Sequence, residues 1–79
     1  FRNALIRYQL AQQSQVSLEI FDATGRIVRT LEKGMRQPGY YTVTWDGKDN
    51  IGRASAAGVY FIRFRTDDYN MVQKAIVVR

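Results

Sequence analysis

The segment WDGKDNIGR, residues 45–53, concentrates the side chains that could ligate a cation. A calcium loop of the EF-hand type needs oxygen ligands at alternating positions, and counting from Asp46 puts Lys48 where the second carboxylate belongs. The glycines of the segment have the spacing of neither a P-loop nor a dinucleotide-binding fingerprint. We therefore expect Asp46, Asp49 and Asn50 to hydrogen-bond to turn backbone, which predicts no metal or cofactor site and leaves only weak calcium binding open.

Catalytic side chains are also sparse in the rest of the chain. There is no histidine and no cysteine, so neither a catalytic triad nor a thiolate metal site nor a disulfide framework can be assembled. The seven carboxylates are scattered over turns and strands. The one adjacent pair, Asp67 and Asp68, falls in a predicted hairpin, where aspartates are ordinary turn residues. The sequence therefore predicts a protein that is not an enzyme.

Composition favours a folded module and argues against two classes of partner. The chain has 79 residues, 46% of them hydrophobic, which is enough for one small domain spanning residues 1–79. The formal net charge is +5, but the 12 Lys and Arg are dispersed without a basic block, so no basic run tracks a nucleic-acid backbone. No apolar run reaches the length of a membrane-spanning helix or a signal-peptide core. We expect neither nucleic-acid binding nor membrane insertion.

Alternation of apolar and polar residues places the sequence on β-strands. The predicted strands cover residues 4–10, 15–21, 27–31, 41–45, 59–65 and 71–78. The side chains expected to face the core are Ile6, Tyr8, Leu10, Val16, Leu18, Ile20, Tyr41, Val43, Trp45, Tyr60, Ile62 and Phe64. In the last strand Val72, Ile76 and Val78 are favoured inward, whereas Ser17 and Glu19 are expected on the outer face of the second.

Turns rich in Gly, Asp and Pro separate the predicted strands. In DATGR, Asp22 can accept hydrogen bonds from its own turn while Gly25 supplies the positive φ that closes a short hairpin. The segment KGMRQPG, residues 33–39, ends the third strand, because Pro38 lacks an amide donor. The turn residues expected to define the fold are Asp22, Gly25, Asp46, Gly47, Gly52 and Gly58. The sequence thus predicts an all-β fold, a small antiparallel sandwich of six or seven strands.

The order of these segments resembles a known family. The chain contains, in succession, IRYQL, VSLEIFDATGRIVRTL, PGYYTVTWDGKDNIGR, AAGVYFIRF and KAIVV. This succession is similar to the immunoglobulin-like domain of bacterial flagellar hook-cap proteins of the FlgD type, and equally to the C-terminal sorting domains of the type IX secretion system. The resemblance covers nearly the whole chain and implies an immunoglobulin-like β-sandwich. The long DGKDNIGR loop is closer to the hook-cap version.

Sorting domains show three signatures that fall here on residues 16–26, 58–63 and 74–78. The KAIVVR tail is short and β-prone, and we hypothesise that a translocation or anchoring machine recognises it, since a terminal edge strand offers both backbone donors and a readable end. The residues proposed to contact that partner are Lys74, Ala75, Ile76, Val77, Val78, Arg79, Phe61 and Arg63. The edge strands of so small a sandwich are also candidates for self-association.

Three aromatic residues, Tyr40, Phe61 and Tyr69, are predicted on the outside. With Arg63 and Arg65 beside Phe61, the three could form a partly apolar, cationic patch for a protein partner or a sugar. Scattered exposed aromatic residues are equally normal on a small domain. A carbohydrate-binding module is accordingly the weakest of the functions considered.

The leading interpretation is a non-catalytic, C-terminal module of a secreted or cell-surface bacterial protein that acts as a type IX sorting and attachment domain. It depends mainly on the resemblance, because the residues alone support only a small antiparallel sandwich without an active site. The alternative is a structural assembly module, hook-cap-like or part of a surface filament, that works through protein–protein contacts. A sorting domain could be cleaved from its passenger, whereas an assembly module would remain in the particle.

Overall fold

Six strands build the part of the chain that the computed structural model describes, residues 3–78. They are β1 (Ala4–Leu10), β2 (Ser14–Asp22), β3 (Ile27–Arg36), β4 (Gly39–Trp45), β5 (Gly58–Arg65) and β6 (Asn70–Val77). They form a two-stranded sheet, β1-β4, and a four-stranded sheet with the order β3-β2-β5-β6. Every pairing is antiparallel. The predicted all-β sandwich is confirmed.

The core lies between the two sheets, where the alternating apolar side chains meet. The most deeply buried side chains are Val16, Leu18, Ile20, Trp45 and Val77. Aromatic rings bridge the sheets at two levels: the ring centroid of Trp45 lies 5.6 Å from that of Tyr60, and Tyr8 lies 4.7 Å from Phe64. Such pairs add to the free energy gained from burying apolar area. The burial patterns of β1, β2, β4 and β5 confirm the inward faces predicted for these strands.

The third strand is longer than the sequence suggested. We expected residues 33–39 to form the turn, but β3 continues to Arg36 and only Gln37 and Pro38 separate it from β4. Gly34, taken as a turn residue, is paired with Val16 in the sheet at φ 140°. The long β2 offers partners along this whole length, and the ladder that it forms outweighs the low strand propensity of glycine.

The last strand faces the opposite way from the prediction. Val72, Ile76 and Val78 are 58–64% exposed, whereas Val77 is 1% exposed and belongs to the core cluster. The register explains the error. Ala75 pairs with the inward-facing Tyr60 and therefore faces inward too, which puts Val77 on the inner face and Ile76 on the outer one. Apolar residues occupy both faces of MVQKAIVV, so alternation alone could not choose between them.

Two tyrosines fix the points where strands enter the sheets. The hydroxyl of Tyr60 donates to the carbonyl of Ala56 at 2.6 Å, and the hydroxyl of Tyr41 donates to the carbonyl of Gln37, each four residues back. Both tyrosines follow the pattern G-x-Y, in which Gly39 has φ 153° and Gly58 has φ 151°. This arrangement corresponds to the tyrosine corner of immunoglobulin-like sandwiches.

Candidate interaction surfaces

The hairpin turn between β2 and β3 is closed by the carboxylate of Asp22. Its Oδ1 accepts the N–H groups of Thr24 at 2.9 Å and Arg26 at 3.1 Å. The side-chain hydrogen bond from Thr24, followed by those from the backbone, lowers the pKa of Asp22 below its ordinary value. Gly25 adopts φ 90°, a conformation that strains any side chain. The carboxylate is therefore engaged by its own turn.

The same turn recurs between β4 and β5 at residues 49–53. The Oδ1 of Asp49 accepts the N–H groups of Ile51 at 3.1 Å and Arg53 at 2.8 Å, and Gly52 has φ 88°. Hydrogen bonds from the backbone N–H groups, that of Arg53 first, lower the pKa of Asp49. Both turns follow the pattern D-x-x-G-R, a repetition that reading the chain for strands alone had missed.

The start of this loop is organised in the same manner. The Oδ1 of Asp46 accepts the N–H of Lys48 at 3.0 Å, and the carbonyl of Gly47 accepts the N–H of Ser55 at 2.9 Å. The indole of Trp45 donates to the carbonyl of Lys48 at 3.0 Å, which ties the loop to the core. Within residues 3–78 no three acidic side chains come close enough to hold a metal ion. The predicted backbone contacts of the aspartates are confirmed.

The expectation for Asn50 was wrong: within residues 3–78 its hydrogen bonds go to the open edge of β3 and not to its own turn. Its N–H donates to the carbonyl of Val28 at 3.0 Å, and its Oδ1 accepts the N–H of Thr30 at 3.0 Å. Beside it, the guanidinium of Arg29 lies 3.5 Å from the Asp46 carboxylate and donates to the carbonyls of the loop. The loop thus covers one edge of the four-stranded sheet, which protects that edge from pairing with another chain.

The outer face of this sheet holds an ion pair that alternation did not predict. Glu19 lies on the outer face as expected, yet it is only 6% exposed. The guanidinium of Arg63 donates to its carboxylate at 2.9 Å, and Arg65 lies 3.9 Å away. Burial raises the pKa of Glu19, but the hydrogen bonds from Arg63 and Ser17 and the charges of the two arginines outweigh burial and lower the pKa overall. Arg63 also stacks on Phe21 at 4.6 Å from the ring centroid.

The structure divides the predicted partner contacts between two faces. The register places on the outer face Phe61, Arg63, Lys74 and Ile76. Ala75 and Val77 point inward, so a partner approaching the folded domain cannot touch the side chain of Val77. Val78 follows β6 and is exposed, and Arg79 lies outside the described residues. The predicted tail is therefore a sheet edge with a core-facing and a solvent-facing row.

The proposed aromatic patch is not assembled. Tyr40 is 84% exposed on the two-stranded sheet, whereas Phe61 is half-buried on the outer face of the other sheet. Tyr69 lies edge-on to Phe64, 6.4 Å away between ring centroids, at the side of the sandwich. The three rings thus lie on three different surfaces. The cation of Arg63 is also already paired with Glu19, so the cationic patch beside Phe61 is weaker than the sequence suggested.

A cavity of about 470 Å³ opens at the side of the sandwich between β1 and β6. Tyr8, Phe64 and Met71 line it together with other apolar side chains. The Tyr8 hydroxyl donates to Glu32 at 3.0 Å, and burial, followed by this hydrogen bond, raises the pKa of Tyr8 to about 12. Tyr8 is therefore a neutral hydrogen-bond donor at physiological pH. This cavity could not be predicted from the sequence, because strand alternation does not say how many strands each sheet contains.

Residues 3–78 contain no helix with the length and apolar character needed to cross a membrane.

Comparison with known proteins identifies relatives of this sandwich. Residues 2–68 match the family model described as FlgD Ig-like domain. The basal-body rod modification protein FlgD of Salmonella typhimurium strain LT2 is 46% identical over 48 residues, which make up 61% of this chain and 21% of that protein. The protein of the same name from Salmonella typhi matches equally well. The match spans about a fifth of the length of these curated relatives. These matches support the hook-cap half of the predicted resemblance and not the type IX half.

Proposed function

The chain belongs to the FlgD Ig-like domain family, and on that basis we propose that it is a non-catalytic structural module that helps to assemble a flagellar hook or rod. The single observation that carries the proposal is the family match over residues 2–68, strengthened by 46% identity to a basal-body rod modification protein. In this proposal the domain works outside the cell within a surface assembly. Its partners are other proteins of that assembly.

The geometry supports a module that acts through its surface. Asp22 and Asp49, the carboxylates of the two D-x-x-G-R turns, are engaged by backbone N–H groups, and Glu19 is paired with Arg63. Side chains held in this way build a rigid scaffold, whereas an acid or base catalyst needs access to a substrate proton. Rigid strands with accessible edges are the means by which such a domain would contact its neighbours.

Fractionation of the native host tests the proposal. An epitope tag in the exposed turn between β1 and β2, at Gln13, would follow the protein without altering either end of the chain or the tyrosine corners. We expect the tagged protein in purified hook–basal-body particles, and we expect cells that lack the domain to show shortened or missing hooks by electron microscopy. Its absence from the particles, together with normal hooks in the deletion strain, would overturn the assembly role.

The type IX sorting role is the second candidate, and it stays a prediction. It is favoured by the solvent-facing row of β6, in which Lys74 and Ile76 are exposed. A reporter fused to the domain, with and without residues 71–79, tests it in a bacterium with a type IX system. Because Val77 belongs to the core, truncation also endangers folding. The exposed double substitution Lys74→Glu and Ile76→Thr therefore replaces truncation, and export unchanged by it would exclude a signal in this row.

A further inference from the structure

The smaller sheet ends at β1, whose second edge forms no backbone pairing within residues 3–78. This sheet has two strands, while the sheet opposite has four. The inward side chains at the start of β6 therefore have no strand across from them, and Met71 is 44% exposed although it lies on the inner face. A constant-type immunoglobulin sandwich has three and four strands in its two sheets. One further strand beside β1 would cover this bare region.

The cavity beside β1 has the apolar lining that such a strand requires. Its volume of about 470 Å³ is bounded by β1 on one side and by β5 and β6 on the other. Its lining includes apolar side chains of β1, β5 and β6, among them Tyr8, Ile62, Phe64 and Met71, and also the acidic residue Asp68. A strand paired with β1 would point every second side chain into this space, where each apolar side chain would bury its surface. The outward side chains of that strand would lie beside those of β1.

Charge decides which strand fits. Arg7 is the central residue of β1, is exposed, and forms no ion pair within residues 3–78. A second copy of the chain, paired antiparallel over the full strand, would place Arg7 opposite Arg7, and like charges directly opposite destabilise a strand pair. The net charge of +5 adds to this repulsion. An acidic side chain at that place would be attracted instead.

We propose that the free edge of β1 accepts an extended strand donated by a partner protein, whose apolar side chains fill the cavity and whose acidic side chain lies beside Arg7. The inference narrows the proposed assembly role to one edge of the domain. Strand donation of this kind supplies affinity through backbone hydrogen bonds and specificity through alternate side chains. The edge of β6 is the competing place, but its outward-facing residues Lys74 and Ile76 do not line this cavity.

Synthetic peptides test the proposal on the domain itself. The probe is the nonapeptide TVTVEVTVT, and its matched control, TVTVKVTVT, differs only in the central charge. Titration into the ¹⁵N-labelled domain should shift the amides of β1 and the signals of Phe64 and Met71. The glutamate peptide should bind about fivefold more tightly than the lysine peptide. Arg7→Glu should reverse this preference, while Lys33→Glu, the same charge change on an exposed residue of β3, should leave it unchanged.

Several results would overturn the proposal. Peptide-induced shifts confined to β6 would place the added strand on that edge. A peptide preference that Arg7→Glu does not alter would show that the charge of Arg7 plays no role. No binding of either peptide at millimolar concentration, or dimerisation of the chain through β1, would exclude a donated acidic strand. Protection of the β1 amides without added peptide in a longer polypeptide that contains this domain would place the strand in the same chain. Failure of the peptides alongside normal incorporation into hook particles would reject this edge and leave the assembly role intact.

Discussion

The carboxylate of Glu19 and the guanidinium of Arg63 are joined at 2.9 Å across β2 and β5, with Glu19 only 6% exposed on what alternation marks as the outer face. Removing one partner of a buried pair leaves an uncompensated charge. We expect Arg63→Leu to lower the free energy of unfolding by about 2–3 kcal/mol, measured by urea denaturation.

The double variant Glu19→Leu/Arg63→Leu separates this cause from lost packing. It removes both charges and leaves neither unpaired. We therefore expect its free energy of unfolding to be closer to the wild-type value than the value for Arg63→Leu is. Arg65, 3.9 Å from Glu19, stays in place in every variant. Strictly additive effects in this double-mutant cycle would show that the pair is not coupled.

Glu19 also predicts how stability depends on pH. Because the pKa of Glu19 is lower in the folded chain than its ordinary value of 4.5, its contribution is present above that value and is lost as the pH falls through the folded pKa. In Glu19→Gln the free energy of unfolding should therefore fall less as the pH is lowered, which urea denaturation between about pH 5 and pH 2 measures. Asp68→Asn, at an exposed carboxylate without an ion pair in residues 3–78, is the control. The same dependence of the free energy of unfolding on acidic pH in Glu19→Gln and the wild type would show that Glu19 does not contribute to it.

Removing the Tyr60 hydroxyl oxygen tests the hydrogen bond that it donates to the carbonyl of Ala56 in the tyrosine corner. Tyr60→Phe keeps the buried ring against Trp45 but leaves the carbonyl without its 2.6 Å partner, so we expect a loss of about 1 kcal/mol in the free energy of unfolding. Tyr41→Phe should cost less, because its hydrogen bond is exposed to water. Tyr40→Phe, on a side chain that is 84% exposed, should change little. Equal costs for all three would show that the corner contributes nothing specific.

The sequence was a good guide wherever polar and apolar residues alternate cleanly. In β2 the run VSLEI allows one assignment of faces, and Val16, Leu18 and Ile20 are buried accordingly. It failed where neither face is distinctly polar, as in β6, whose register is set by its pairing with β5. It also could not show that Glu19 would be covered by Arg63, because that burial depends on a neighbour 44 residues away.

The corrected facing of β6 gives a direct comparison of neighbouring residues. Val77→Ala should destabilise the domain by about 1–3 kcal/mol, because it opens space in the core beside Trp45 and Ile20. Ile76→Thr should change the free energy of unfolding by less than about 0.5 kcal/mol, since that side chain is 58% exposed. Thermal and urea denaturation of both variants measure the difference. The reverse order of costs would restore the facing that the sequence favoured.

Asn50 provides the last test, because its side chain caps the β3 edge through Thr30. Asn50→Ala removes the acceptor at 3.0 Å while leaving the backbone bond to Val28 available, and we expect faster hydrogen exchange at the Thr30 amide together with a loss of about 0.5–1 kcal/mol. Asn50→Asp retains an acceptor oxygen at the same place and should preserve the protection. The freed edge of the alanine variant should also raise self-association in sedimentation experiments, since an uncovered strand is a template for pairing. Unchanged exchange at Thr30 in the alanine variant would mean that the loop protects this edge without the help of the Asn50 side chain.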